Sequence, residues 1–473
     1  MNASQDIYYL SAKQLTDRYS SGDLSPVEVT QAVLERIEAD GSDYNAFCLL
    51  DPDSALATAR QSEERWRRGQ PCGLIDGVPT TIKDLIITKD WPTLRGSRTT
   101  DPAGPWLEDA PSTDKLRQHG AVILGKTTTP EFGSKGVTES LLTGSTRNAW
   151  NKDRTSGGSS GGAGVAAARG YGALHIGTDG AGSVRIPSSF NGIFGLKPTF
   201  GRVPVFPPSP LGTVSHVGPM TRCVEDAALM MNVITQPDRR DWFALPDDGR
   251  DYLDGLERSM DGLRIAYSGD LGFADVDPDV AGTCRKAAEL FTDAGAVVEE
   301  IPGPLSEDPV WITDRLWFAA FLRITETLNA KQIALMDPLL IEMLEQARAM
   351  SVFELLDAHK AREDMALKLA QVHADYDLLV TPTMPRTAFE AGPFNPWKSN
   401  KAEDWIRWSS FTYPFNLSQQ PGSSCPCGFD ADGLPVGLQI VGPKYADFLV
   451  LQASKAFETL APFRLPGVTP ADG

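Results

Sequence analysis

The chain has 473 residues, 41% hydrophobic and 22% charged, with 43 glycines and 35 prolines, an ordinary globular composition rich in turns and long enough to bury a large core. Its formal charge of −18 opposes attachment to phosphate backbones, and the largest basic cluster is the short run from Arg65 to Arg68, so no nucleic-acid partner is expected. Six cysteines do not make a disulfide framework in so long a chain, and Cys425-Pro-Cys427 lacks the spacing of a zinc or redox pair, so the thiols are expected reduced and buried.

MNASQDIYYLSAKQL does not read as a secretory signal, and no later stretch approaches the ~20 apolar residues of a membrane helix, so a cytoplasmic protein with no membrane partner is expected. Ser11 caps one short helix. Ser25 and Pro26 supply the N-cap and first position of a second, with Val29, Val33 and Ile37 on one face. A third helical pattern runs from Pro52 to Arg68, and LIDGVPTTIKDLI then reads as strand, turn and strand carrying Lys83. A polar helix over Thr113 to Gln118 precedes the apolar strand AVIL. Helix and strand alternate again at VAAARG, ALHIG, GIFGL, LRIAYS, AVVEEI and DLLVTPT, which argues for an α/β fold whose largely parallel sheet is covered on both faces. The charged, turn-rich stretch from Asp238 to Gly262 reads as a surface connection between two halves of that sheet. From Asp308 to Asp375 the pattern is mostly helical, with Trp311, Trp317, Phe318 and Phe321 close together as core or pocket lining.

Two serines stand in glycine-rich turns downstream of Lys83: Ser159 in TSGGSSGGAG and Ser183 in GTDGAGSVRIP. A serine hydroxyl is a poor nucleophile near neutral pH and needs a base and a site for the developing oxyanion. An unperturbed lysine, with a pKa of about 10.4, is only ~0.04% neutral at pH 7. Lys83 could act as a base only if burial beside Val78, Ile82 and Leu85 lowered it by roughly three units, about 4 kcal/mol. The plainer reading is a snorkelling lysine paired with Asp84. Ser159 could be an ordinary helix N-cap ahead of AGVAAAR, a role Ser160 could fill as well.

Three pattern matches are set aside. GAVILGKT, from Gly120 to Thr127, satisfies the phosphate-loop spacing, but its variable positions read as a strand. GGSSG satisfies the nucleophile elbow, and GAGVAA at Gly162 a dinucleotide turn, yet no apolar strand precedes either. His119, His175, His216, His359 and His373 lie in no distinctive motif, and no His, Asp or Glu cluster has metal-ligand spacing. No cofactor or metal is expected.

The lysine, the GGSSGG run and GTDGAGSVRIP resemble the amidase signature family, serine hydrolases with a Ser-cisSer-Lys triad. The likeness extends over nearly the whole chain through the opening helices, GAVILGKTTTPEFG, GIFGLKPTFGRVP and PCGFDADGLPVGLQIVG. It departs at Ser156, where the family more often has proline, and at Ala181, where it often has a second glycine. The resemblance implies one domain over residues 1–473: a helical arm (1–70), a catalytic core (71–240), and the remainder of the sheet with substrate-pocket helices (241–473). The sheet it implies is mixed and mostly parallel. Carried over by position, Lys83 is the base, Ser159 the bridging serine after a cis peptide, and Ser183 the nucleophile. The backbone N–H groups of Gly180, Ala181, Gly182 and Ser183 form the oxyanion hole, and Ser160, Thr178, Asp179 and Arg185 support the site. The implied activity is hydrolysis of a small-molecule amide; Trp317, Trp405, Trp408 and Phe411 are candidate walls of an aromatic pocket or, equally, core residues. A glutaminase-type subunit of a tRNA amidotransferase, a hydrolase of urea or carbamate derivatives, and a catalytically silent binding protein remain alternatives. A homodimer is the assembly the resemblance suggests.

Overall fold

The computed structural model describes residues 7–396 and 401–467. Helices α1 (Ala12–Ser21) and α2 (Pro26–Tyr44) each start on a serine that accepts the backbone N–H three residues on. The side chain there, Gln14 or Glu28, returns to the serine N–H, so orphaned donors at both starts are satisfied reciprocally. Val29, Val33 and Ile37 of α2 are buried on one face, as a 3.6-residue period requires. Strand β1 (Phe47–Leu50) and helix α3 (Pro52–Arg67) follow.

Next come β2 (Pro79–Lys83), α4 (Pro111–Gln118), β3 (Val122–Thr127), a small ribbon of β4 (Glu139–Ser140) and β5 (Gly144–Ser145), α5 (Gly161–Arg169) and β6 (Leu174–Asp179). Then α6 (Arg185–Asn191), β7 (Phe194–Lys197), β8 (His216–Thr221) and α7 (Val224–Ile234) complete the first half. The second half holds β9 (Arg264–Tyr267), α8 (Pro278–Glu289), β10 (Val297–Glu300) and a helical excursion of α9 (Val310–Thr325), α10 (Ala330–Ile333), α11 (Pro338–Ala349) and α12 (Val352–Asp375). It closes with β11 (Leu378–Pro382), α13 (Tyr413–Leu417), β12 (Gly422–Phe429), β13 (Pro435–Val441) and α14 (Asp447–Leu460).

Among the described residues one sheet has 11 strands in the order β1-β3-β2-β6-β8-β7-β12-β13-β11-β9-β10. Pairing is parallel within β3-β2-β6 and within β11-β9-β10, and antiparallel between those wings and at β1. The fold is thus α/β with a mixed sheet, its parallel pairing gathered in two wings. Both faces are covered. Along β3, Ile123 enters one apolar cluster while Val122 and Leu124 enter another, the alternation that a strand buried on both sides shows.

LIDGVPTTIKDLI forms only the strand β2, because carboxylates fold its flanks into turns. Asp76 accepts the Cys72 N–H and the Arg65 guanidinium, and Asp84 accepts the N–H groups of Leu94 and Gly96. GAVILGKT is the strand β3, buried along its length, with Lys126 ion-paired to Asp84 at 3.3 Å. The six free cysteines are not all buried: Cys284 and Cys425 are, whereas Cys48 lies exposed on the edge strand β1 and Cys72 in an exposed turn. The stretch from Asp238 to Gly262 does join α7 to β9, and it is pinned by buried Tyr252, Leu256 and Met260. No helix among the described residues is long and apolar enough to cross a membrane.

Candidate active site

Lys83 is the last residue of β2, beside the parallel strand β6 that ends at Asp179. Side chains at the carboxyl ends of parallel strands open into the crevice above the sheet, the usual place for a site in an α/β fold. Ser159 and Ser160 arrive there just ahead of α5, after a cis peptide bond between Gly158 and Ser159. The glycines around them are required by close approach as well as by backbone angle. Gly157 has φ +69°, but a Cβ on Gly158 would lie 2.6 Å from the Val137 carbonyl carbon, and one on Gly162 2.5 Å from the Ala46 oxygen.

Lys83 is fully buried, and its Nζ stands 2.7 Å from Ser159 Oγ, 2.8 Å from Ser160 Oγ and 2.8 Å from Thr178 Oγ1. Burial pulls the amine well below its ordinary value, opposed by the more distant Asp179 carboxylate. Asp84, the neighbour in sequence, faces Lys126 instead. Ser160 Oγ donates to the Thr178 carbonyl at 3.1 Å, so toward Lys83 it acts as an acceptor. Ser160 does not cap α5 through its side chain.

Ser183 lies in the turn between β6 and α6, and its carbonyl accepts the Ser160 N–H at 3.2 Å, which ties the two serine turns together. Asp179 organises this turn. Its carboxylate accepts the N–H groups of Gly182 at 2.7 Å, Val184 at 3.2 Å and Arg185 at 3.4 Å, as well as the Arg185 guanidinium. Burial alone would raise Asp179, but Arg185, Lys197 and Asn416 hold it well below the usual carboxylate range. Arg185 uses all its donors, with Thr412 O, Gln439 Oε1 and Asn416 Oδ1 as the further acceptors. Sequence reasoning assigned no role to Thr412, Asn416 or Gln439. Gln439 lies within the closing motif PCGFDADGLPVGLQIVG, which was the available signal.

One correction concerns the four proposed oxyanion donors. The Gly182 N–H is already occupied by Asp179, whereas those of Gly180, Ala181 and Ser183 meet no protein acceptor among the described residues. Gly182 is still required as glycine: it has φ +129°, and a Cβ there would lie 2.4 Å from Thr412 Oγ1.

Ser159, Thr178, Gly180 and Ser183 line a cavity of about 460 Å³. Its other walls are Leu85, Ile86, Phe132, the proline-rich rim from Pro204 to Leu211, and Trp317, Phe321, Ile324 and Leu328. Of the four aromatic residues considered as pocket walls, only Trp317 borders this space. Trp405 stacks behind Trp317 with ring centres 4.4 Å apart and donates to Asp314, Trp408 packs between Phe190 and Phe389, and Phe411 is core. Phe318 is buried and Trp311 exposed, so the expected aromatic stripe splits around α9. Buried His175 and His216 bond to Thr81 Oγ1 and to the carbonyls of Asp179 and Val214, away from both serine hydroxyls. Among the described residues no group of His, Cys, Asp and Glu is arranged to hold a metal ion.

A family model described as Amidase matches residues 28–451. An acylamidase of Rhodococcus erythropolis is 35% identical over 469 residues, covering 97% of each chain. A glutamyl-tRNA(Gln) amidotransferase subunit of Chloroflexus aurantiacus is 32% identical, covering 96% of this chain and 97% of the relative. The crystal structure of a bacterial aryl acylamidase belonging to the amidase signature enzymes superposes with a TM-score of 0.89 at 30% identity, covering 96% of both chains. With that match across most of its length and that fold, the chain belongs to the amidase signature family.

Proposed function

We propose that the protein hydrolyses the carbon–nitrogen bond of a small carboxamide or anilide through an ester to Ser183. The observation that carries this reading is a buried, depressed lysine amine held by serine and threonine hydroxyls on the cavity that Ser183 also lines. A neutral amine has two N–H bonds and one lone pair. Ser160, which gives its hydrogen to Thr178 O, and Thr178 Oγ1 accept the two N–H bonds, which leaves the lone pair to take the proton of Ser159. Ser183 Oγ then attacks the carbonyl carbon while its own proton passes to Ser159, and Ser159's proton to Lys83. The oxyanion meets the N–H groups of Gly180, Ala181 and Ser183; one such donor is typically worth about 3–4 kcal/mol of transition-state stabilisation. As the carbon–nitrogen bond breaks, Ser159 protonates the departing nitrogen and is resupplied by Lys83. Water attacks the ester, its proton follows the same relay, and the acid leaves with Ser183 restored.

The experiment is rapid quenching with an anilide followed by mass mapping. An acyl adduct on the Ser183 peptide is expected; an adduct on Ser159 alone, or turnover with none, speaks against the assignment.

The likeness to the Chloroflexus protein favours a second reading, a glutaminase that passes ammonia to a partner. A free amino acid needs a carboxylate for its ammonium group as well as a cation for its carboxylate. The described residues lining the cavity include Arg95 and Arg323 but no carboxylate, which favours the simple amide. Ammonia release from glutamine, beside amine release from anilides and ammonia from urea or carbamate derivatives, separates these. We read residues 1–473 as one catalytic unit, supported by a sheet that draws strands from both halves, and expect a homodimer on the family resemblance and a cytoplasmic location on the sequence reading, which light scattering and cell fractionation test.

A further inference from the structure

Two non-glycine residues in the left-handed backbone region face one another on the cavity wall: Arg95 at φ 57° and Phe132 at φ 51°. The Phe132 N–H donates to the Arg95 carbonyl at 2.7 Å, and both residues line the cavity. Such conformations are uncommon outside glycine and persist where the surroundings hold them, often at ligand sites. The neighbouring loop is fixed independently, since Asp84 accepts the N–H groups on either side of Arg95, at Leu94 and Gly96.

Arg95 lines the cavity without an ion pair among the described residues. Its guanidinium makes one long hydrogen bond, 3.4 Å to the Thr93 carbonyl, and among the described residues no carboxylate reaches it at ion-pair distance. Asp84 is taken by Lys126, and the other cavity arginine, Arg323, is exposed and paired with Glu326. Burial pulls the Arg95 group below its ordinary value, opposed in part by the Asp84 carboxylate, which lies beyond ion-pair distance. Its place relative to the serines is set by Gly133, next to Phe132: a Cβ there would lie 3.2 Å from Ser159 Oγ. The Arg95 backbone therefore lies close to the wall that carries Ser159, the residue that protonates the departing nitrogen on the proposed mechanism.

We propose that Arg95 binds a carboxylate on the amine portion of the substrate, so that the enzyme acts on N-acylated amino acids or aminobenzoates with an apolar body. This rests on the amidase reading above. A planar guanidinium offers paired donors that match a carboxylate, and the apolar walls keep that contact from being fully screened.

The test compares acetanilides bearing a carboxylate or a methyl group at the meta or para position. Wild type is expected to favour the better carboxylate isomer by about 10- to 100-fold in kcat/KM, through KM, the worth of a charge-assisted contact. Arg95→Met should bring that ratio near one, and Arg95→Lys should keep part of it. No preference in wild type, or an unchanged ratio in Arg95→Met, overturns the proposal. Calorimetric binding of 4-aminobenzoate and 4-toluidine to wild type needs neither turnover nor a folded variant. At least tenfold tighter binding of the carboxylate supports Arg95's role even if no amide is hydrolysed, a failure that would count against the amidase reading instead; equal binding overturns it.

Discussion

The Arg185 guanidinium and the Asp179 carboxylate lie 2.9 Å apart with neither side chain exposed, and together they hold the turn that carries Ser183. Removing one partner of a buried, hydrogen-bonded pair leaves the other charge uncompensated, at a cost of about 3–5 kcal/mol. Asp179→Asn is expected to lose stability on that scale in urea unfolding at pH 7. Because Asp179 is held below its unfolded value, its stabilisation is full above about pH 4 and fades as pH falls further. The gap between wild type and variant should therefore narrow below pH 4; a gap that widens there would contradict the pairing.

Lys83 is the group whose neutral form the relay requires. Burial lowers it, so the rate should rise with pH through the folded value and level off before about pH 10.4, the ordinary lysine value. Lys83→Met should lower kcat/KM by about 10²–10⁴-fold, with the alkaline rise gone from any residual rate. Lys83→Arg, which keeps the charge but cannot release its proton, should fare as badly.

Gly182→Ala places a methyl group 2.4 Å from Thr412 Oγ1 at a left-handed backbone position. Overpacking of this kind typically costs 1–3 kcal/mol. Since this turn carries the free N–H groups of Gly180, Ala181 and Ser183, kcat should fall by at least about tenfold. A kinetic assay beside a melting curve separates the two effects, and unchanged kcat would argue that the turn does not hold the oxyanion.

At the helical arm, Asp226 accepts the N–H groups of Ala12 and Lys13 and so joins α7 to the start of α1. Burial pushes it up to about 6. Its folded value then lies above its unfolded one, so the stability linked to its protonated form is full below about pH 4 and is lost as pH rises through 6. Relative to Asp226→Asn, wild type is expected to lose up to about 3 kcal/mol between those limits. Parallel unfolding curves at pH 5 and pH 8 check the sign.

Much of the helical arm and of the lysine cluster was legible because its signals are local. Ser11 and Ser25 announce their caps a few residues ahead, and the small residues of GGSSGG and GAGS mark where backbones approach closely. Long-range partners were less legible. Arg185 is held by Thr412, Asn416 and Gln439, more than two hundred residues away in sequence, and no pattern around Arg185 encodes them. The aromatic wall was undecided for a related reason: Trp317, Trp405, Trp408 and Phe411 share a chemical type, and of the four only Trp317, on α9, borders the cavity while the others are core. The Arg95 and Phe132 backbones meet across a loop contact that leaves no periodicity to read. The occupied Gly182 N–H required knowing where the Asp179 carboxylate points.

The most direct measurement is amine and ammonia release from a panel of anilides, carboxamides and glutamine by wild type, Ser183→Ala and Ser159→Ala, each with a melting curve. Removing a serine nucleophile or its relay should lower turnover by at least about 10⁴-fold, with the melting transition kept. Turnover by Ser183→Ala at the wild-type rate would contradict Ser183 as the nucleophile and with it the proposed mechanism.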